Sequence, residues 1–241
     1  MLIPYLGEKS KFASFIVPNV PNDISTYVEP FGGMFGIFFA LDFVKFKNVK
    51  FIYNDVNYLN YNLFNQLRDN HQFIDLVKKI TVDIDRYKLA LKEILIEKDD
   101  VKLAINWLII LTCSSPYEIG KESWRGSTEF EVFKIKYKAY KFHIDKISEI
   151  DKSDYKEIIN KYDSESTFFY VDPPYMGKEK YYINHDFNTN THIELANILN
   201  NIKGRFILSY YKFNGLEELY KNCRIESKVT PMGTELIIMN F

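Results

Sequence analysis

The spacing of apolar and polar positions divides the first quarter of the chain into alternating elements. Short apolar runs at Thr26–Val28 and Lys50–Tyr53 alternate with longer segments at about Met34–Phe43 and Tyr58–Arg68. A short apolar run bounded by turn residues is typical of a buried strand, and a longer amphipathic or apolar segment is typical of a helix. This strand–helix–strand rhythm predicts a parallel sheet with right-handed crossovers.

The middle of the chain breaks this rhythm, which later returns. The pattern predicts helices at about residues 71–80, 85–97 and 101–112, and then a segment without helical period from Ser114 to Phe142. After these come a continuous apolar strand at Thr167–Val171, a helix at about 190–202, a strand at Arg205–Ser209, a short helix near 215–221 and two strands at about 224–228 and 235–240. We expect the last two strands to form a hairpin at the edge of the sheet.

The predicted organisation is one α/β domain that an insertion interrupts. We expect residues 1–60 and 150–241 to form the sheet domain and residues 61–149 to form an inserted, largely helical region. The net charge of −1 argues against a protein that coats nucleic acid indiscriminately, although a local basic face is compatible with it. The longest apolar stretch, Leu103–Cys113, is too short to cross a bilayer, and the first residues lack the apolar core of a signal peptide. We therefore expect a cytoplasmic protein.

The sequence Asp172-Pro173-Pro174-Tyr175 follows the predicted strand Thr167–Val171 directly. Ligands of open α/β sheets bind beyond the carboxyl ends of the strands, and two consecutive prolines make a rigid turn with exposed carbonyls. An exocyclic amine of a base is a poor nucleophile, and Asp172 and the Pro173 carbonyl can each accept one of its hydrogens while Tyr175 stacks on the base. The alternative is a plain turn that ends the strand.

Two further polar motifs follow the first two predicted strands. Tyr-Val-Glu29-Pro-Phe31-Gly-Gly33 places two glycines where backbone can approach a ligand closely. Asp55 lies at the end of the next strand, where an acid is suited to ribose hydroxyls or, alternatively, to capping a helix. The sequence lacks a full Gly-x-Gly-x-x-Gly fingerprint and a P-loop lysine, which disfavours dinucleotides and nucleoside triphosphates.

A basic, aromatic-rich run lies near the end of the predicted insertion. Between Phe133 and Lys146, one acid accompanies five lysines: Lys134, Lys136, Lys138, Lys141 and Lys146. Such a run can follow phosphates while its rings pack or stack, or it can be an ordinary solvated surface. Arg125, just upstream, can read guanine in a major groove.

In this order, the motifs resemble the Dam-like, alpha-group DNA adenine methyltransferases over nearly the whole chain. Tyr5 and Lys9 match the opening motif of that family, although in this chain Glu8 stands in place of one of its glycines. Glu29, Phe31 and Gly33 match its first cofactor motif. Asp55 matches its second motif, and Asp172 matches its catalytic motif. The Arg-Tyr-Asn and Phe-Asn-x-Pro signature of GATC-reading members is missing, so we infer no target sequence.

The resemblance implies a Rossmann-like, S-adenosylmethionine-dependent methyltransferase sheet, mostly parallel with an antiparallel edge strand, and a target-recognition role for residues 61–149. Tyr5, Lys9, Asp55 and Asp172 would bind S-adenosylmethionine, and Asp172, Pro173 and Tyr175 would act on an adenine flipped out of double-stranded DNA. We expect a monomer without a metal, from a prokaryote or a phage, and a cognate restriction endonuclease as partner if it serves restriction–modification.

Three alternatives stay open at this point. One is methylation of the exocyclic amine of cytosine, which is chemically analogous. The second is an RNA or protein amine methyltransferase on the same platform, and the third is a non-catalytic DNA-binding subunit. Methylation at a cytosine ring carbon would need a nucleophilic cysteine, and the surroundings of Cys113 and Cys223 offer none.

Overall fold

The computed structural model describes residues 3–4, 9, 12–115, 123–176, 187–230 and 233–241, without the side chains of 230 and 233. By its internal contacts the chain divides into two compact units. The helical unit comprises residues 1–9 and 58–150, and the sheet unit comprises residues 10–57 and 151–241. Lys9 falls in the helical unit, and the predicted domain bounds of 1–60 with 150–241 and of 61–149 stay a prediction.

The strands of the described residues form one sheet of seven strands. They are β1 (Thr26–Glu29), β2 (Lys50–Asn54), β3 (Ile147–Asp151), β4 (Thr167–Val171), β5 (Arg205–Tyr211), β6 (Arg224–Thr230) and β7 (Gly233–Met239). Their order is β3-β2-β1-β4-β5-β7-β6. The pairs β1–β2, β1–β4 and β4–β5 are parallel, whereas β5–β7 and β6–β7 are antiparallel. The predicted α/β sheet with an antiparallel hairpin at its edge is confirmed.

The central strands are apolar because neither face of this part of the sheet meets water. All five residues of β4 are buried, as expected of a strand in a parallel sheet covered on both sides. The core of the sheet unit includes Val28 of β1, Ile52 of β2 and Leu208 of β5. These continuous apolar runs, rather than an alternating pattern, made the strands predictable from the sequence.

Helices account for most of the remaining regular structure. They are α1 (Ala13–Ile16), α2 (Tyr58–Asp69), α3 (Phe73–Lys78), α4 (Ile84–Glu93), α5 (Asp100–Cys113), α6 (Thr128–Ile144), α7 (Tyr155–Tyr162), α8 (Thr189–Leu199) and α9 (Leu216–Leu219). The side chains of Asp83, Asp99 and Asp154 cap α4, α5 and α7 by accepting hydrogen bonds from backbone N–H groups. Within the described part of the chain, every helix is too short or too polar to cross a membrane.

The predicted helix at residues 34–43 is wrong. The structure has turns there, followed by a 3-10 helix at Phe38–Ala40. Phe35 adopts a φ of 58°, which an α-helix cannot include. In addition, the Phe38 N–H donates to the Glu29 carboxylate (3.1 Å) instead of joining a helical ladder. The apolar character of this segment reflects its burial and not its periodicity.

The prediction of no helical period between Ser114 and Phe142 is also wrong, because α6 occupies residues 128–144. Five buried side chains recur along it at alternating steps of three and four residues: Phe130, Phe133, Tyr137, Tyr140 and Ile144. The pattern is hidden because Ile135 and Phe142 are apolar but 80% and 59% exposed. Apolar residues on both faces mask the stripe that packs inward.

Candidate active site

The Asp-Pro-Pro-Tyr turn begins where β4 ends. Asp172 is half-buried, whereas Pro173, Pro174 and Tyr175 are buried. Since β4 lies between β1 and β5 and is parallel to both, the turn lies at the edge formed by the carboxyl ends of the parallel strands. The rigid prolines leave Asp172 as the side chain of this turn that is partly open to solvent.

The glycine turn follows β1 at the same edge. The Gly32 N–H donates to the Asn54 carbonyl (2.7 Å). A Cβ on Gly32 would lie 2.5 Å from a ring carbon of Tyr53 and 2.9 Å from the Asn54 carbonyl oxygen. Gly33 has a φ of 49°, in the left-handed region that favours glycine. Gly32 is therefore required by the close approach of this turn to the end of β2, and Gly33 is favoured by its left-handed backbone.

Asp55 holds the glycine turn from the end of β2. Its Oδ2 accepts from the Gly33 N–H (2.8 Å), and its Oδ1 accepts from the Asn57 N–H (2.8 Å). The predicted ligand residue is thus in direct contact with the predicted ligand turn.

Asn54, which the sequence reasoning did not single out, links three segments of this edge. Its Nδ2 donates to the carbonyls of Pro30 (2.8 Å) and Ser153 (3.0 Å), and its Oδ1 accepts from the Ser153 N–H (2.9 Å). The side chain is fully buried. An asparagine at the last position of an otherwise apolar strand was the available signal, because a buried amide needs partners of this kind.

Glu29 lies beneath the glycine turn and is 2% exposed. Its Oε1 accepts from the Tyr27 hydroxyl (2.6 Å) and from the Phe38 N–H (3.1 Å). Burial raises the pKa of Glu29 well above its usual range, against the lowering effect of these two bonds, and the charge of Asp172 raises it further. The parallel pairing of β1 with β4 brings the ends of these two strands together.

Phe31 extends the aromatic surface of the glycine turn. Its half-buried ring stacks on Tyr155 of α7 with centroids 5.2 Å apart and meets the edge of Phe187 at 5.8 Å. These contacts hold Phe31 beside Gly33. The structure therefore gathers Glu29, Phe31 and Gly33 into one turn, as the motif implied.

Tyr175 is more buried than a base-stacking residue was expected to be. Its hydroxyl donates to Glu235 Oε1 of β7 (2.5 Å). Its ring stacks on Tyr210 at 5.2 Å and meets Tyr211 edge to face at 4.7 Å, and 7% of the residue is exposed. These contacts assign Tyr175 to holding the turn, and stacking of a base on its ring stays a prediction.

Lys9 and Tyr5 are the two residues that match the opening motif. Lys9 is 6% exposed and belongs to the helical unit. Tyr5, like Glu8, lies outside the described residues. Their assignment to cofactor binding stays a prediction.

The lysines of the basic run fall into two groups on α6. Lys134 Nζ donates to the Ile80 carbonyl (3.1 Å) and Lys141 Nζ to the Arg68 carbonyl (2.8 Å), so both fasten α6 to neighbouring segments of the helical unit. Lys136 and Lys138 are exposed. The run is therefore not one continuous cationic strip.

Arg125 precedes α6 and is half exposed. Its Nη2 lies 4.0 Å from Glu129 Oε1, and 51% of its side chain is accessible. An exposed ion pair of this kind contributes little to stability. The guanidinium is therefore available to an external ligand.

The cysteines do not offer a nucleophile. Burial raises the pKa of Cys113 to about 11, and burial also raises the pKa of Cys223. A thiol acts as a nucleophile in its thiolate form, which these shifts disfavour. These shifts disfavour the cytosine ring-carbon mechanism, which needs a nucleophilic cysteine.

Comparisons with known proteins agree with this geometry. The family model of the D12 class N6 adenine-specific DNA methyltransferases matches residues 5–232. A Type II methyltransferase, M.MjaIII of Methanocaldococcus jannaschii, is 26% identical over an alignment of 297 positions that covers 99% of this chain and 98% of the relative. The family match decides for adenine over cytosine and for an enzyme over a non-catalytic subunit. The chain belongs to the D12 class of N6 adenine-specific DNA methyltransferases.

Proposed function

We propose that this enzyme binds S-adenosylmethionine at the glycine turn and methylates the N6 amine of an adenine held at the Asp172-Pro173 turn. The observation that supports the proposal is the pairing of β1 with β4, which places the glycine turn and Asp172 at one edge of the sheet. The charge of Asp172 acts on the buried Glu29 beneath the glycine turn. Binding and reacting groups thus share one edge although they are distant in sequence.

The residues at the end of β1 and β2 fit an adenosyl ligand. The glycine turn presents the half-buried Phe31 beside the partly exposed Gly33, and Asp55 at the end of β2 is the acid proposed to meet the ribose hydroxyls. Glu29, also assigned to this motif, accepts a hydrogen bond from the Phe38 N–H and so stabilises the segment that follows the glycine turn. Tyr5 and Lys9 complete the proposed cofactor set. When bound, S-adenosylmethionine supplies a methyl group attached to a sulfonium.

Asp172 and Pro173 prepare the amine for attack. The lone pair of N6 is delocalised into the adenine ring, so the free amine is a poor nucleophile. Hydrogen bonds from the two N6 hydrogens to the Asp172 carboxylate and the Pro173 carbonyl favour a pyramidal nitrogen. Fixing that nitrogen against the methyl group converts a bimolecular encounter into an oriented one, which is a large source of rate acceleration.

Access to N6 requires the adenine to leave the duplex. Extruding a base costs a few kcal/mol of stacking and pairing. Two interactions offset that cost. The flipped base forms hydrogen bonds with Asp172 and Pro173, and it stacks on an aromatic side chain, which contributes about 1–3 kcal/mol per base. Tyr175 is the side chain proposed to stack on the flipped adenine.

We propose that α6 contributes phosphate contacts through its exposed lysines, Lys136 and Lys138, and that Arg125 reads a guanine. Lys134 and Lys141 support this surface by fastening the helix. Phosphate contacts supply affinity and register, whereas contacts to base edges supply specificity. Substitution of Arg125 should therefore relax the target sequence more than it weakens overall binding.

The biological setting is proposed from the relative that is a Type II methyltransferase. On this basis the enzyme is prokaryotic or phage-encoded; that it is a cytoplasmic monomer is proposed from its sequence alone. It would protect sites in host DNA against a cognate restriction endonuclease.

Methylation of DNA with labelled S-adenosylmethionine tests the proposal. The labelled DNA is digested to deoxynucleosides, and label should appear in N6-methyl-2′-deoxyadenosine. Asp172→Ala should abolish incorporation while circular dichroism shows a folded protein. Asp42→Asn, which changes an exposed carboxylate of the same unit, is the control and should keep activity. Near-normal turnover by Asp172→Ala would refute the assignment of Asp172.

A further inference from the structure

A second carboxylate, Glu235, is built into the sheet behind the catalytic turn. It lies in β7, opposite Tyr211 of β5 in the antiparallel register, and is 1% exposed. A buried carboxylate is costly unless hydrogen bonds compensate for the loss of water. A core strand with only structural duties would normally carry an apolar residue at such a position.

The compensation comes from the catalytic turn itself. The Tyr175 hydroxyl donates to Glu235 Oε1 at 2.5 Å, and both groups are buried. Burial, followed by the charges of Asp172 and Glu235, raises the pKa of Tyr175 well above its usual range. The phenol therefore stays protonated, and it can donate this bond at any pH at which the enzyme works.

The ring of Tyr175 is fixed as firmly as its hydroxyl. It stacks on Tyr210 at 5.2 Å and meets Tyr211 at 4.7 Å. Tyr210 is in turn anchored by a hydrogen bond between its hydroxyl and Nδ1 of the buried His192 on α8. The far end of the turn is thus tied to β5, β7 and α8, while its near end continues from β4.

Fixing both ends of a turn whose middle consists of two prolines fixes the direction of Asp172. Proline locks φ, so little freedom is left between Asp172 and Tyr175. We infer that Glu235 is a positioning residue for methyl transfer, which acts through the Tyr175 hydroxyl to hold the Asp172–Pro173 acceptors in place. This inference rests on the proposed function of that turn.

Two substitutions at Glu235 separate the hydrogen bond from mere packing. Glu235→Met keeps the length of the side chain but removes the acceptor, whereas Glu235→Gln keeps a carbonyl oxygen that can accept from Tyr175. Because a misplacement of about 1 Å can cost about a hundredfold in rate, Glu235→Met should lower kcat by roughly ten- to a hundredfold. The KM for S-adenosylmethionine should change little, and Glu235→Gln should recover most of kcat.

A double-mutant cycle with Tyr175→Phe gives the decisive readout. If Glu235 acts through the hydroxyl, the double variant Tyr175→Phe/Glu235→Met should be no slower than the slower single variant. Multiplicative losses in kcat would overturn the inference. Should Glu235→Met fail to fold, Tyr175→Phe decides alone, because wild-type kcat in that variant would also overturn it.

Tyr137→Phe is the control for loss of a buried tyrosine hydrogen bond. Its hydroxyl donates to the Leu67 carbonyl (3.2 Å) within the helical unit, so stability should fall while kcat is kept. Failure of the proposed function looks different from failure of this inference. An inactive wild type, or an active Asp172→Ala variant, would refute the proposed function. A normal kcat in Glu235→Met, together with an inactive Asp172→Ala variant, would refute only the positioning role of Glu235.

Discussion

Asn54→Ala should destabilise the sheet unit and weaken cofactor binding together. The substitution removes three hydrogen bonds at a fully buried position, to Pro30 and to both backbone groups of Ser153. At about 1 kcal/mol per bond, the loss is about 3 kcal/mol. A chain of this size loses roughly 2–4 °C in Tm per kcal/mol, so the Tm should fall by roughly 6–12 °C.

The same change should be visible in cofactor affinity, because one of the lost bonds holds the glycine turn. If about half of the loss falls on the bound conformation of that turn, the Kd for S-adenosylmethionine rises about tenfold, which corresponds to 1.4 kcal/mol. Isothermal titration calorimetry measures the Kd, and the unfolding transition followed by circular dichroism gives the Tm.

Asn240→Ala is the matched control in the same unit. Its side chain makes two hydrogen bonds near the start of β5, to the Gly204 carbonyl and from the Phe206 N–H, away from the glycine turn. Its Tm should fall by less, and its Kd should stay at the wild-type value. The reasoning fails if Asn54→Ala binds cofactor as tightly as Asn240→Ala does, or unfolds no earlier.

Three further tests address other parts of the structure. Gly32→Ala should abolish cofactor binding in calorimetry, because its Cβ would approach a tyrosine ring carbon to 2.5 Å. Gly126→Ala in the helical unit, whose Cβ would meet nothing within 4 Å, should keep cofactor binding and lose only stability, because its φ of 97° is strained for alanine. Burial raises the pKa of Cys113 from 9.0 to about 11. The free energy of unfolding should therefore keep the full contribution of the neutral thiol below pH 9 and lose it as the pH rises towards 11. Denaturant titrations should show a smaller decline over this range in Cys113→Ala. Lys136→Ala/Lys138→Ala should weaken binding to all duplexes alike and reduce the slope of log K against log salt by about 2, and an unchanged slope would exclude both lysines from the interface.

The sheet was predictable because most of its strands are recognisable from a short local pattern of apolar residues. The run Thr167–Val171 is apolar throughout, and the motifs at Glu29, Asp55 and Asp172 follow strands that the pattern identifies. Parallel strands bring their carboxyl ends to one edge, so the meeting of these three positions followed from the topology. The strand at Ile147–Asp151 was missed, because its polar composition does not distinguish it from a loop.

The supporting residues were not predictable, since their roles depend on contacts distant in sequence. Glu235 lies in a predicted strand and His192 in a predicted helix, yet nothing local shows that one would contact Tyr175 and the other Tyr210. Likewise, a lysine-rich helix reads as a uniform basic surface until the packing shows which amines are occupied. The helix α6 was overlooked for the reason that its exposed Ile135 obscures the buried stripe.

The adjacency of β1 and β4 also governs when the enzyme can become active during its synthesis. These two neighbours are separated in sequence by β2, β3 and residues 58–150 of the helical unit. Closing so long a loop adds little to the thermodynamic cost, since each doubling of length adds about 0.6 kcal/mol, but contacts between distant residues form slowly. A ribosome-bound chain that has produced only the first strands holds the glycine turn without its catalytic partner. Methylating capacity therefore cannot appear before the fourth strand has docked beside the first.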